Sequence, residues 1–187
     1  MIKKVSILLS VISLHLVLLS ASTSVAAEHK FPTPDEYLVT ESFQGKPAPV
    51  DLKSHPSANN FRTRLREGAK KGPNFAGKYT IVKWGCGSGC LSIGIIETSS
   101  GKVIFPDEIS PIFFVGIPAS SNKNIEYGLI YSKESSLLII HGIPSKETKA
   151  GSYYYKFENN RFELIESIKW ESDFNKDQNK KAGKPNE

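Results

Sequence analysis

The stretch YTIVKWGCGSGCLSIGIIET, residues 79–98, decides how the chain is read. Tyr79 to Trp84 alternates and is rich in β-branched residues, so it predicts a strand. Leu91 to Thr98 has the same character and predicts its return. Between them Gly85, Gly87 and Gly89 alternate with Cys86, Ser88 and Cys90. Three glycines in five residues are costly in backbone entropy. They suit a chain that must turn sharply where side chains would obstruct it. The stretch is therefore a hairpin with a glycine-rich tip, with Trp84 packed just below it.

Working outward, the period of two continues downstream. Ser99-Ser100-Gly101 turns the chain into Lys102 to Phe105. Ile112 to Val115 is a short apolar run between prolines. Glu126 to Ser132 and Ser136 to His141 flank a turn at Lys133–Ser135. Tyr153 to Glu158 and Arg161 to Ile168 flank Asn159-Asn160, a two-residue hairpin signal because Asn tolerates positive φ. Upstream, Tyr37 to Phe43 alternates well enough for one more short strand. The single helix candidate begins after Ser57 as N-cap. Ala58, Phe61, Leu65 and Ala69 recur as one buried stripe, and Gly72-Pro73 ends it. Arg62, Arg66 and Lys70 fall four apart and form a basic ridge, with Arg64 and Lys71 nearby. The expected fold is α+β: an antiparallel sheet of about eight strands with one helix packed on it. Short connections favour hairpins over βαβ crossovers.

Residues 1–27 have the order of a cleaved secretory signal peptide: Lys3 and Lys4, an apolar run from Val5 to Leu19, then small residues to Ala27. The apolar run of about 15 residues is short of the roughly 20 needed to span a bilayer. No cysteine follows it to take a lipid. A periplasmic or secreted location is expected, with no stable membrane insertion after cleavage. The rest divides into one globular domain, 28–174, and a polar tail, 175–187. The whole chain of 187 residues carries a formal +5. Removing the two lysines of the signal and the charges of the tail leaves 18 basic and 17 acidic residues in 28–174, so the basic balance is no argument for nucleic acid. In an oxidising compartment, Cys86 and Cys90 default to a disulfide. Such a bridge needs the backbone to curl until the Cα atoms are about 5–6 Å apart.

Asn74-Phe75-Ala76-Gly77-Lys78-Tyr79 precedes the hairpin, and Thr98 to Val103 carries a Thr-x-Gly-Lys-Val-type turn after it. With Gly72-Pro73 and Trp84 to Cys90, this order resembles a set of uncharacterised exported bacterial proteins. Their shared pattern is Gly-Pro-Asn-Phe-Ala-Gly-(His or Lys)-Tyr, then Trp-Gly-Cys-Gly-(Ser or Thr)-x-Cys. Lys78 stands where His is common in that set. The resemblance covers about a quarter of the chain; it implies bacterial origin and export, and no activity.

Four chemistries can be weighed on these residues. Redox-active cysteine pairs usually have two intervening residues and sit at a helix N-terminus; here three intervene between strands. A hydrolase could use Ser88 on its strained turn, with His141 at a strand end as base, but no Gly-x-Ser-x-Gly elbow accompanies it. Two cysteines without a neighbouring histidine offer no zinc set, so no metal and no cofactor are expected. The ridge of Arg62, Arg66 and Lys70 could meet an acidic glycan, a lipid headgroup or an acidic protein, its plainer reading being a solvated helix face. The leading expectation is a non-enzymatic binding protein, of the general design of an envelope inhibitor, whose partner is a protein or other envelope component. Cys86 and Cys90 would fix the tip, Gly87, Ser88 and Gly89 would offer backbone contacts, and Trp84 would support them. A small hydrolase or thiol–disulfide oxidoreductase centred on the same tip is the alternative.

Overall fold

The computed structural model describes residues 30–114 and 128–170. The segment read as a signal peptide, the segment read as a polar tail, and parts of the runs at Ile112–Val115 and Glu126–Ser132 lie outside the described residues.

Among the described residues the architecture is α+β, an antiparallel sheet of eight strands with one helix. Strand β1 (Tyr79–Gly87) pairs with β2 (Cys90–Glu97) from Tyr79 opposite Glu97 up to Gly87 opposite Cys90. Two short strands share the far edge of β2. These are β3 (Val103–Ile104), opposite Ile95 and Ile96, and β4 (Ile112–Phe113), opposite Cys90 and Leu91. On its other side β4 pairs with Ile143 and Pro144 of β6 (Leu137–Pro144). Strand β5 (Leu129–Ile130) pairs with the same edge of β6, at Ile139 and Ile140. Beyond it come β7 (Gly151–Glu158) and β8 (Arg161–Lys169). Among the described residues, β4 is the one strand that joins β1–β3 to β5–β8.

The sheet curls on itself, because the inward side chains of both parts meet in one core. Ile81, Leu91, Ile93 and Ile95 share it with Leu138, Ile140, Tyr153 and Tyr155. The curl brings the start of β1 onto the β7–β8 turn. The Tyr79 ring lies 4.8 Å from that of Phe157, and its hydroxyl donates to Asn160 Oδ1 at 3.0 Å. Asn159 and Asn160 take φ of 51° and 62°, the left-handed pair expected at this hairpin.

The outer face of β1 and β2 is covered by the helix. A 3₁₀ turn at Ala58–Phe61 leads into α1 (Arg62–Ala69). Ala58, Leu65 and Ala69 are buried against Val82, Trp84 and Ile96, as the stripe predicts. Ser57 precedes the turn but its hydroxyl makes no capping bond. Gly68 allows close approach: a Cβ there would lie 2.4 Å from Val82 Cγ2. Gly72, at φ +78°, ends the segment.

One expected strand is absent. Pro34–Tyr37 is a 3₁₀ turn, begun by proline at its first position and closed by the Thr33 N–H donating to the Glu36 carboxylate at 3.0 Å. Leu38 makes only an isolated bridge to Ser135. This leading segment is instead a strap across β6, tied by the Ser135 hydroxyl donating to the Pro34 carbonyl at 2.9 Å and by stacking of Phe31 on Tyr154. No helix of the described residues is long and apolar enough to cross a membrane.

Candidate binding groove

The tip is built by the two strands that lead into it. The β1–β2 register slips between Gly85 and Gly87, which lifts Cys86 out of the ladder. Cys86 and Cys90 are joined by a disulfide across a Cα separation of 5.1 Å. Gly87 (φ +143°) and Gly89 (φ +65°) hold backbone conformations that L side chains rarely adopt. Gly85 through Gly89 are all exposed. The tip is also held from one side: the Phe114 N–H donates to the Gly89 carbonyl at 2.8 Å.

Trp84 does not reach solvent with the tip. It is 6% exposed, stacked on Phe61 at 4.6 Å and edge-on to Phe105, over Gly94 whose missing side chain makes room for its ring. Its role is to lock β1 to the helix, so the tip stands on a fixed base.

A groove of about 640 Å³ runs from α1 along β1 to the tip. Its helix wall is Arg64, Glu67 and Gly68, with Lys71 in the turn just after α1. Its floor is the segment Thr80–Gly85. Asn74, Phe114 and Tyr131 also line it. The Lys83 ammonium sits 5.4 Å from the Tyr131 ring centroid, within cation–π range. Asn74 is held by Ile81: its Oδ1 accepts from the Ile81 N–H at 2.7 Å and its Nδ2 donates to the Ile81 carbonyl at 3.1 Å.

Of the residues singled out in the sequence, Gly87, Gly89 and Cys90 line this groove, as does part of Trp84. Ser88 is exposed at the tip and does not line it. Arg62, Arg66 and Lys70 lie on the opposite flank of the helical stripe from Arg64, Gly68 and Lys71. The ridge and the tip are thus not brought together, and the groove takes its cations from the other flank. Asn74, Glu67 and Tyr131 carried no separate signal, although projecting α1 onto a helical wheel separates the two flanks.

His141, the candidate base, lies on β6 opposite Ser152 of β7. His141 Nδ1 lies 2.9 Å from the hydroxyl of Ser152, which also accepts from Trp170 Nε1 at 3.3 Å. Burial holds the His141 imidazole below its ordinary pKa. Ser152 is 8% exposed, so this is a packed polar cluster between β6 and β7, with the serine oxygen already engaged by Trp170. His55 accepts from the Ser57 N–H at 3.2 Å and leans on Phe105. Among the described residues no histidine hydrogen-bonds to Ser88. The disulfide joins β1 to β2. No group of three or more His, Cys, Asp or Glu among the described residues is placed to hold a metal ion.

No family model, no curated protein and no solved structure matches the chain.

Proposed function

We propose that this is an exported, non-enzymatic binding protein whose ligand enters the groove between α1 and the stapled tip. The observation that carries the reading is the union of tip and groove. A disulfide-closed glycine turn, a tryptophan-locked strand and a polar helix flank form one rigid concavity of a size suited to a ligand. Rigid walls lose little conformational freedom on binding. Export is supported by the order of residues 1–27, by the resemblance of about residues 56–104 to exported bacterial proteins, and by a disulfide that suits an oxidising compartment.

The test uses a photo-crosslinking residue at Glu67 in the groove, at Ser88 on the tip, and at the exposed Lys102 as control. Each protein is irradiated in envelope extract of the expressing bacterium. Adducts from position 67, weaker ones from 88 and none from 102 are expected. Equal adducts from all three would sink the groove as the site. A turnover abolished by Ser88→Ala would replace the binding reading with an enzymatic one.

A further inference from the structure

Three charged side chains follow one another along one wall of the groove. Arg64 and Glu67 belong to α1 and Lys71 to the turn just after it, and all three are exposed. The Lys71 N–H still bonds back to the Gly68 carbonyl at 3.0 Å. The row therefore keeps close to a helical rise, with its two cationic residues roughly 10 Å apart along the axis. Glu67 lies three residues after Arg64 and four before Lys71, spacings at which helix charges commonly pair. None of the three makes an ion pair or a side-chain hydrogen bond among the described residues. All three are thus open to whatever enters the groove. Lys83 also lines it, but its ammonium is already placed over the Tyr131 ring.

Asn74 follows the row on the same groove. Its side-chain amide serves Ile81 as a neighbouring strand would, taking the Ile81 N–H and giving one hydrogen to the Ile81 carbonyl. A primary amide has two N–H donors and two acceptor lone pairs. One of each remains, and Asn74 is half-buried where it lines the groove.

Charge and hydrogen bonding select one ligand class between them. Arg64 and Lys71 favour acid groups at two places. Glu67, between them, opposes a uniform polyanion but accepts readily from a hydroxyl. The spare donor and acceptor of Asn74 also suit a hydroxyl, which can both give and take a hydrogen bond. Carboxylates and hydroxyls alternating along one extended molecule are the mark of an acidic sugar chain.

We infer, resting on the groove reading above, that the ligand is an acidic oligosaccharide. Its carboxylates meet Arg64 and Lys71, and its hydroxyls meet Glu67 and Asn74.

The experiment is isothermal titration calorimetry with the full chain and two carboxylated probes, the tetramers of galacturonate and of mannuronate. The methyl esters of both and a capped tetra-aspartate of equal charge accompany them. At least one uronate tetramer binds saturably, and more weakly as salt is added. Its ester and tetra-aspartate each bind about tenfold or more weakly, the scale of one lost hydrogen bond to a charged group. Arg64→Gln and Lys71→Gln each cause a loss of that size with the melting temperature unchanged. Lys53→Gln with Lys102→Gln, a pair of exposed cations outside the groove, leaves the affinity as it was. Equal affinity for the ester or for tetra-aspartate overturns the saccharide proposal. So does an equal loss from the Lys53 and Lys102 pair, or the absence of saturable binding by either tetramer at millimolar concentration. If position 67 still crosslinks specifically in envelope extract, the groove reading survives that failure.

Discussion

Asn74→Asp replaces one amide nitrogen with oxygen and leaves shape unchanged. The Asp Oδ1 still accepts from the Ile81 N–H, now at 2.7 Å from Asn74. On its other side, the contact to the Ile81 carbonyl at 3.1 Å changes from a hydrogen bond to two oxygens facing each other. Losing that bond and leaving a part-buried carbonyl unsatisfied costs about 2 kcal/mol. The penalty belongs to the ionised form, because a protonated Asp can donate to the same carbonyl. About 2 kcal/mol confined to one protonation state lifts the carboxyl's titration from roughly 3.9 to about 5.4. Lys71 and Lys83 line the same groove and favour the charged form, so this is the upper side of the effect. The sign follows: with a folded pKa raised above the unfolded one, the variant nearly matches wild type below about pH 3.9. It falls behind as pH rises and is fully penalised above about 5.4. Urea unfolding of both proteins, compared at each half unit from pH 3 to 7, reads the difference directly. A difference that stays constant across that range would refute the assignment of Asn74 as a surrogate strand partner.

Three other outcomes follow from local geometry. Gly72→Ala and Gly77→Ala impose the same left-handed φ, +78° and +74°, but only at Gly77 does a Cβ strike backbone, 1.9 Å from the Glu41 carbonyl oxygen. Gly72→Ala is expected to cost about 1–2 kcal/mol and Gly77→Ala clearly more, by denaturant midpoint; equal costs would mean the strap carrying Glu41 yields freely. Cys90→Ser opens a five-residue loop and costs about 2 kcal/mol by loop entropy, with faster amide exchange at residues 85–91 and none added in β7. Uniformly faster exchange across the protein would contradict a local staple. His141, held below its ordinary pKa by burial, gives stability that is lost as pH falls through about 6.5 toward its lower folded value. His141→Gln should flatten that limb of the stability–pH curve, and an unchanged slope would assign it to another group.

Elements specified by neighbouring residues were legible in the sequence, and those specified by distant ones were not. The hairpin of residues 79–98 reads directly from its alternation and glycines, and Asn159-Asn160 from its tolerance of positive φ. The helix follows from Ala58, Leu65 and Ala69, all buried as the stripe requires. Tyr37–Phe43 misleads because its alternation is real but its partner is not a strand. Pro34 and the Thr33–Glu36 bond curl its start, and the rest runs over β6 as a strap. The candidate site is a mixture. The tip residues are obvious from composition, whereas the groove depends on which flank of α1 faces β1, and the more regular Arg62, Arg66, Lys70 series draws attention to the wrong one. The pairing of His141 with Ser152 needs the β6–β7 register, which local sequence does not contain.

The strap has a consequence for the order in which the chain can come together. Its ties to Ser135 and Ser136 join residues separated by about 100 positions. Hairpin β1–β2 closes over a turn of two residues, and β7–β8 closes over another. Contacts this local can form with little loss of chain freedom, whereas the strap must wait for β6 to exist. The earliest described residues are therefore among the last to find their places. The clasp at the start of the described chain stays undone until most of the sheet is in place.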